Sequence, residues 1–201
     1  MDKKIEKAKK VINEGGVVIF PTETAYGLAA DATNEEAVEK VYKMKNRPRN
    51  KGLTAIVSSF EVAKKYGDIK ESESKIIQKF MPGPLTLVVD KINSELAENL
   101  NSDFVFRISS SGIARELAEV GPITATSANI SGKSTSYSID DIDEALLDKV
   151  DYIIDGGVLD DGPTSTIAEV RDSGEGVILH REGPINEEDL ESVLHGSNIQ
   201  H

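Results

Sequence analysis

The sequence concentrates positive charge in one short run. Five cations, Lys43, Lys45, Arg47, Arg49 and Lys51, occur within nine residues. At a spacing of two they cannot share one helical face, so part of the run must be extended. Concentrated cations suit a polyphosphate, because arginine offers a planar fork of donors and lysine a point charge. The alternative is a solvated basic turn, whose charges contribute little to folding.

Two polar loops follow short apolar runs and offer hydroxyl and amide groups. Pro-Thr-Glu-Thr-Ala-Tyr-Gly-Leu occupies 21–28, directly after the apolar run 17–20, and Thr-Ser-Ala-Asn-Ile-Ser-Gly occupies 126–132. Loops at the ends of buried strands are where open α/β sheets place ligands. Two threonine hydroxyls and a phenol in the first loop could orient a small polar substrate. Each loop is also consistent with an ordinary turn whose side chains cap local backbone.

Several catalytic classes lack the residues they need. The chain has no cysteine, which excludes a disulfide framework, thiolate zinc ligands and a cysteine nucleophile. Its histidines, His180, His195 and His201, lack zinc-ligand spacing, so we predict no protein metal site and a surface or structural role for each. The glycine-rich stretch 157–164 has Pro163 where a phosphate-binding loop requires lysine.

Composition narrows the class of protein further. The 201 residues suffice for one domain with a sizeable core. Asp and Glu number 35 against 23 Lys and Arg, a formal net charge of −12. Such a chain repels nucleic acid at long range, so direct nucleic-acid binding should be weak or confined to a local basic patch. Short apolar runs and an N-terminus without a signal-peptide pattern predict a cytoplasmic protein with no membrane segment.

The hydrophobic pattern alternates between helical and strand periods. Helices are predicted at 3–14, 72–80, 139–149 and 186–195, and after a capping box of Thr33 and Glu36. Strands are predicted at 17–20, 53–57, 86–89, 105–108, 123–126, 152–155, 166–170 and 177–180. The last two strands are joined by a turn at 172–176, which argues against an all-parallel sheet. The economical architecture is α+β, close to α/β: a mixed sheet flanked by helices.

Six strings in order resemble the YrdC family of threonylcarbamoyl-AMP synthases. They are Pro-Thr-Glu-Thr-Ala-Tyr-Gly-Leu at 21–28, Lys-Asn-Arg-Pro at 45–48, Pro-Gly-Pro-Leu-Thr at 82–86, the string 126–132, Ser-Thr-Ile at 165–167 and Arg-Glu-Gly at 181–183. The resemblance covers about residues 5–185. It implies one YrdC-like domain over 1–201, with a C-terminal helix and short tail after the core. The implied fold is a twisted mixed parallel and antiparallel sheet with an open basic concavity.

The resemblance also implies an activity, L-threonylcarbamoyladenylate synthesis. The substrates would be ATP, L-threonine and bicarbonate, with Mg²⁺ held mainly by ATP. The products would be threonylcarbamoyl-AMP and pyrophosphate. A downstream threonylcarbamoyl-transferase complex would then modify an adenosine of tRNA. No protein nucleophile is required, so catalysis would consist of positioning and charge stabilisation.

Site residues follow from the same resemblance. It assigns the principal catalytic and phosphate contacts to Lys45 and Arg47, with Arg49 beside them. Further nucleotide contacts fall to Ser127, Asn129, Thr135 and Arg181. The resemblance assigns contacts with the substrate threonine to Thr22, Thr24, Ser58, Arg107 and Ser165. As exposed charges, Lys45 and Arg47 should contribute little to folding.

The chain departs from the family pattern at two places, and two other functions compete. Ser58 stands where many relatives have histidine, and Arg107 is followed by Ile-Ser-Ser-Ser where many have an early proline. The main alternative is a non-catalytic module that binds double-stranded RNA or tRNA. A carbamoyl-transfer protein of hydrogenase maturation is the other, and the lack of cysteine argues against it. Pyrophosphate release would distinguish a synthase from a binding module.

Overall fold

The helices and strands are taken from a computed structural model, which describes residues 1–171, 174 and 176–196. The α-helices in these residues are α1 (Asp2–Asn13), α2 (Glu35–Lys45), α3 (Phe60–Ala63), α4 (Glu71–Phe80), α5 (Gly112–Leu117), α6 (Glu144–Leu147) and α7 (Glu187–Leu194). Short 3-10 turns lie at Ala118–Val120 and Ile139–Asp141. None of the helices in the described ranges has the length and apolar character needed to cross a membrane.

The strands divide between two sheets. They are β1 (Val18–Pro21), β2 (Tyr26–Ala29), β3 (Ala55–Ile56), β4 (Leu85–Val89), β5 (Phe104–Arg107), β6 (Ile123–Thr124), β7 (Thr126–Ser127), β8 (Tyr152–Ile153), β9 (Thr166–Val170) and β10 (Val177–Arg181). The four-stranded sheet has the order β7-β2-β1-β8, and the six-stranded sheet has the order β10-β9-β4-β5-β3-β6. Both are mixed: β1 is parallel to β8 and antiparallel to β2, and β4 is parallel to β9 and antiparallel to β5. The predicted mixed class with flanking helices is confirmed.

Strand β1 is buried on both faces, which explains its continuous apolar run. Val17 and Ile19 face the main core, which also contains residues of α2 and α4. Val18 and Phe20 face a second core built with α1 and α5. All four side chains are fully buried. The hairpin of β1 and β2 is therefore held from both sides, so its tip has a fixed position.

Helix α2 places the basic run, and its two ends are set by asparagines. The predicted Thr33 cap is wrong: Asn34 is the cap, and its Oδ1 accepts from two backbone N–H groups of the first turn at 3.0 and 3.1 Å. Thr33 instead donates its hydroxyl to Asp31 Oδ1 at 2.7 Å. The helix ends at Lys45 because Asn46 adopts the left-handed conformation, with φ of 49°. That turn sends the chain away from the helix axis at once.

The helix predicted over 139–149 is wrong. A 3-10 turn at Ile139–Asp141 and the separate α6 replace it. Asp143 caps α6 by accepting from Ala145 N–H at 3.0 Å, and Asp141 accepts from two backbone N–H groups before the 3-10 turn. These carboxylates satisfy backbone donors outside a continuous helix, which favours two short pieces.

Two predictions fall outside the described residues. The turn predicted at 172–176 lies mostly there, since only 174 and 176 of it are described. The short tail after α7, which includes His201, lies there from residue 197 onward. The proposed extent of the domain over 1–201 therefore stays a prediction at its end.

Candidate functional site

A cavity of about 890 Å³ lies over one face of the six-stranded sheet. The β1–β2 hairpin and the segment that follows α2 complete its walls. Alternation along the strands separates the two faces: Leu87 and Phe106 are buried in the core, while Thr86, Val88 and Val105 line the cavity. The volume is in the range of small-molecule sites, about 300–1,000 Å³.

Many of the residues assigned from the family resemblance meet at this cavity. Its lining includes Thr22, Thr24, Arg47, Arg107, Ser127, Ser165 and Arg181. Lys45, Arg49, Ser58, Asn129 and Thr135 do not belong to the lining. The residues assigned to contacts with threonine, apart from Ser58, are thus brought together from the hairpin, β5 and the start of β9.

The hydroxyl of Thr22 is used by the turn that joins β1 to β2. Thr22 Oγ1 donates to the carbonyl oxygen of Ala25 at 2.7 Å and accepts from the N–H groups of Thr24 and Ala25 at 3.2 Å. Thr22 is 7% exposed. Its hydroxyl therefore caps local backbone, which was the structural alternative for this loop.

The phenol in the same loop is also engaged by the protein. Tyr26 is fully buried, and its hydroxyl donates to the carbonyl oxygen of Gly157 at 2.7 Å. The same oxygen accepts from Gly156 N–H at 2.9 Å. Burial raises the pKa of Tyr26, so the phenol stays protonated. The phenol thus anchors the 156–157 loop. Tyr26 also lines the cavity, so its role in orienting a substrate stays a prediction.

Arg107 lies in the cavity wall at the end of β5 with a carboxylate beside it. Its Nη1 is 3.3 Å from Glu23 Oε1 and donates to Thr24 Oγ1 at 3.2 Å. Ser109 donates its hydroxyl to the other carboxylate oxygen of Glu23. Burial lowers the pKa of Arg107, and the charge of Glu23 opposes that effect. Sequence analysis missed Glu23, although it stands inside the string 21–28.

Arg181 and Ser165 form a second polar group in the cavity. Arg181 donates through Nε to the carbonyl oxygen of Ser165 at 2.9 Å and through Nη2 to its hydroxyl at 3.0 Å. The Ser165 and Thr86 hydroxyl oxygens are 2.9 Å apart. Burial lowers the pKa of Arg181, and the charges of Arg107 and Arg47 lower it further. The guanidinium groups of Arg107 and Arg47 are thus close enough to Arg181 to lower its pKa.

A β-bulge brings two consecutive residues of β10 to the cavity. The register between β9 and β10 shifts between Leu179 and Arg181. Strict alternation would send His180 and Arg181 to opposite faces, but both line the cavity. His180 Nε2 lies 2.8 Å from Glu169 Oε2, and the side chains are 45% and 41% exposed. The surface or structural role predicted for His180 stays a prediction, and its place in the cavity lining depends on a bulge that has no signal in the sequence.

Lys45 is buried, contrary to the expectation of an exposed cation. It is 1% exposed, and its Nζ donates to the carbonyl oxygens of Ser127 and Asn129, the latter at 2.7 Å, and to Asn129 Oδ1 at 2.9 Å. Burial, and then the charge of Arg47, lower the pKa of Lys45 to about 7, while the three oxygens favour the charged form. Lys45 therefore joins the end of α2 to the 127–129 loop.

The remaining arginines of the basic run diverge. Arg47 is half-buried, lines the cavity, and donates through Nε to the carbonyl oxygen of Lys51 at 2.9 Å and through Nη2 to that of Gly52 at 2.7 Å. Arg49 is exposed, forms an ion pair with Glu39, and stacks 4.4 Å from the centroid of the Tyr42 ring. The run is therefore neither a single cluster nor a wholly solvated turn.

The loop after β7 is held together by its own polar groups. Ser127 donates its hydroxyl to Asn129 Oδ1 at 2.7 Å, and Asn129 Nδ2 donates to the carbonyl oxygens of Lys133 at 2.7 Å and Ser134 at 3.0 Å. Thr135 is half-buried at the end of this loop. Of the residues expected to hold the nucleotide here, Ser127 is the one that reaches the cavity.

The cavity carries both charge signs, with cations in excess. Its lining includes Arg47, Lys51, Arg107 and Arg181, against the carboxylates of Asp103 and Glu169. Such a wall suits an anionic ligand. Within the described ranges, no group of three histidine or acidic side chains is placed to hold a metal ion.

The fold and the cavity define a mixed α/β domain with a site for a small anionic ligand. The family model of Sua5, YciO and YrdC proteins, described as telomere recombination, matches residues 10–183. A threonylcarbamoyl-AMP synthase of Pyrococcus abyssi is 36% identical over 95% of this chain. A Methanocaldococcus jannaschii protein, provisionally assigned the same name, is 42% identical over 91% of the chain. The chain belongs to the Sua5/YciO/YrdC family.

Solved structures agree with this assignment. The structure of P. abyssi Sua5 complexed with L-threonine superposes with a TM-score of 0.88 at 35% identity and covers 96% of this chain. The chain spans 58% of that protein and 57% of the P. abyssi synthase sequence, but 87% of the M. jannaschii relative. The resemblance recognised from six strings is confirmed over nearly the whole chain.

Proposed function

We propose that this protein is an L-threonylcarbamoyladenylate synthase. It converts ATP, L-threonine and bicarbonate to threonylcarbamoyl-AMP and pyrophosphate, the first step of threonylcarbamoyl-adenosine modification of tRNA. The observation that carries the proposal is a single cavity, in a chain of this family, where Thr24, Arg107, Ser165 and Arg181 converge with Arg47. Relatives named as threonylcarbamoyl-AMP synthases and a relative that binds L-threonine support it.

The chemistry requires anion binding more than it requires a nucleophile. The threonine amine bonds to the carbon of bicarbonate as a C–O bond breaks and water leaves, which gives a carbamate. The carboxylate oxygen of the carbamate then bonds to the α-phosphorus as the bond to the leaving pyrophosphate oxygen breaks. The cavity is lined by three guanidinium groups, those of Arg47, Arg107 and Arg181. Their positive charges can balance the negative charge on carboxylate and phosphate oxygens. Fixed cations of this kind stabilise a transition state without reorganising.

Magnesium is proposed to enter with ATP as part of the substrate. Mg²⁺ usually keeps several waters and binds substrate phosphates through few protein ligands. Asp103 and Glu169 are carboxylates in the lining that could contact such an ion or its waters. The chemistry Mg²⁺ supplies is neutralisation of the phosphate charge.

The unstable product must pass to a transferase that acts on tRNA. We propose that this partner, a threonylcarbamoyl-transferase complex, accepts the intermediate. A net charge of −12 disfavours extended RNA contact by this chain itself.

The decisive experiment measures pyrophosphate from ATP, Mg²⁺, threonine and bicarbonate, with the adenylate identified by mass spectrometry. Pyrophosphate should require threonine and bicarbonate together, and Arg181→Ala, purified in the same way, controls for contaminating enzymes. Valine should fail as a substrate, because a pocket built for a hydroxyl leaves its polar groups unpaired. Equal release with no amino acid would reject the assignment, and RNA binding without any pyrophosphate would favour the alternative of a binding module.

A further inference from the structure

Glu23 and Arg107 form a buried ion pair that leaves two polar atoms without partners. Their side chains are 16% and 7% exposed, and Arg107 Nη1 lies 3.3 Å from Glu23 Oε1. Among the described residues, Glu23 Oε1 and Arg107 Nε are buried and have no hydrogen-bond partner. Natural proteins rarely leave a buried charged donor unused, so such an atom requires an explanation.

The two residues come from different parts of the fold. Glu23 lies at the tip of the β1–β2 hairpin, and Arg107 is the last residue of β5. The hairpin tip is fixed by the Thr22 hydroxyl, and Ser109 holds the second carboxylate oxygen of Glu23. The position of the Glu23 carboxylate is therefore fixed by contacts other than the one with Arg107. Arg107 in turn lines the cavity, while Glu23 does not.

We propose that Glu23 is a positioning residue, which orients Arg107 to bind a substrate carboxylate. Glu23 and Thr24 engage one terminal nitrogen of the guanidinium, and Arg107 also lines the cavity, where a ligand would lie. An arginine presents donors in a planar fork, so holding one part of the plane sets the direction of the rest. The proposal rests on the proposed function, and the ligand is either the α-carboxylate of threonine or bicarbonate.

The carboxylate of Glu23 also keeps the arginine charged at low cost. Arg107 is 5% exposed, and an isolated cation there would lose its hydration. A partner carboxylate offsets that loss, while excess positive charge in the cavity still comes from Arg47 and Arg181. The three guanidinium charges then still exceed the two negative charges of Glu23 and one bound carboxylate.

A purely structural tie between the two sheets is the competing interpretation. Breaking a buried ion pair by removing one partner is strongly destabilising in general. A loss of stability alone therefore fits both interpretations. They differ in kinetics, because a positioning role affects the carboxylate substrates and leaves ATP binding nearly unchanged.

The test compares Glu23→Gln, Glu23→Asp and Ser109→Ala with the native protein. KM for threonine, bicarbonate and ATP, and kcat, are measured by pyrophosphate release below the melting temperature of each variant. Glu116→Gln, on the exposed side of α5, is the matched control. We expect Glu23→Gln to raise KM for threonine or for bicarbonate at least tenfold, with KM for ATP within about twofold. Ser109→Ala should show a smaller rise, and Glu23→Asp should recover part of the loss.

The KM values for threonine and for bicarbonate identify the ligand of Arg107. A rise confined to threonine assigns its α-carboxylate to Arg107, and a rise confined to bicarbonate assigns that ion. Equal rises for all three substrates, or no rise for either threonine or bicarbonate, would overturn the inference. If Glu23→Gln does not fold, Ser109→Ala decides by the same criterion. A native protein that releases no threonine-dependent pyrophosphate would instead reject the proposed function itself.

Discussion

The ammonium group of Lys45 and the carbonyl oxygen of Asn129 lie 2.7 Å apart, 84 residues distant in sequence. Asn129 also accepts from the same ammonium through Oδ1, and Ser127 contributes a third carbonyl oxygen. The backbone adds a return contact, since Ser131 N–H donates to the carbonyl oxygen of Lys45 at 2.8 Å. Lys45 is therefore part of the structure that fixes the loop after β7.

Replacing Lys45 with methionine should destabilise the fold. The change removes three donor contacts. Within the described part of the chain, it leaves the carbonyl oxygen of Asn129 without a partner, while the Ser127 carbonyl oxygen keeps Asn129 N–H and Asn129 Oδ1 keeps the Ser127 hydroxyl. A hydrogen bond to a charged group is worth about 1.5–3 kcal/mol. We expect the free energy of unfolding, measured by denaturant titration at pH 6, where Lys45 is charged in the folded protein, to fall by about that amount. Adenylylation should also fall, because the loop that Lys45 holds in place positions Ser127 in the lining of the cavity.

Lys43→Ala is the matched control for this prediction. Lys43 lies on the same helix with its side chain 74% exposed, and its ion pair with Glu39 spans 3.6 Å. Surface pairs of this kind contribute about 0–1 kcal/mol. Equal stability of the Lys43 and Lys45 variants would show that the contacts of Lys45 contribute no net stability.

The contribution of Lys45 should depend on pH. Burial, followed by the charge of Arg47, lowers the pKa of Lys45 from its usual 10.5 to about 7 in the folded protein. Between these two pH values the unfolded chain binds more protons, so the free energy of unfolding rises with pH by up to about 1.4 kcal/mol per unit. Comparison with Lys45→Met from pH 6 to pH 9 isolates this effect. A difference between the two proteins that does not change with pH would contradict it.

Much of the fold could be predicted because strand and helix periods are local. The run 17–20 was predicted as a buried strand, and its residues fill two cores. The short β2 and the helices α3 and α5 were missed, since four to six residues carry too little periodicity. The division into two sheets depends on long-range pairing, which no local pattern encodes.

The sequence predicted which residues belong to the candidate site better than it predicted how they are arranged. The six strings contain Arg47, Ser165 and Arg181, and the family resemblance adds Arg107. All four residues line the cavity. Burial of Lys45 could not be predicted, because its partners are backbone oxygens of a distant loop. Strand alternation could have added Thr86, which shares a hydrogen bond with Ser165.

Replacing Tyr26 with phenylalanine should separate stability from activity. The variant keeps the ring but loses the hydroxyl that donates to Gly157 and accepts from Gly156. Gly156 and Gly157 are exposed, so each lost hydrogen bond should cost about 0.5–1.5 kcal/mol. We expect a lower melting temperature with the rate of pyrophosphate release changed less than about threefold, when both are measured well below the melting temperature. A tenfold loss of rate without a change in melting temperature would instead indicate that the phenol of Tyr26 contacts the substrate.

Arg47 should be the cation of the basic run to which ATP use is most sensitive, whereas a change at Arg49 should have little effect. Arg47 lines the cavity beside two other arginines, whereas Arg49 is held on Glu39 and the ring of Tyr42. A charge-assisted contact to phosphate is worth about 1.5–3 kcal/mol, so Arg47→Ala should lower kcat/KM for ATP at least about tenfold.

Arg49→Ala is the matched control, because it removes the same group two residues away. Its kcat/KM should stay within about twofold of the native value. The melting temperature of Arg49→Ala should be close to that of the native protein. That of Arg47→Ala should be several degrees lower, because Arg47 gives up two bonds to backbone oxygens of Lys51 and Gly52, so both rates are measured well below it. Equal losses of activity in the two variants would mean that the phosphates follow the outer surface of α2 and bypass the cavity. A normal rate for Arg47→Ala together with a slow rate for Arg49→Ala would place the nucleotide beside Glu39.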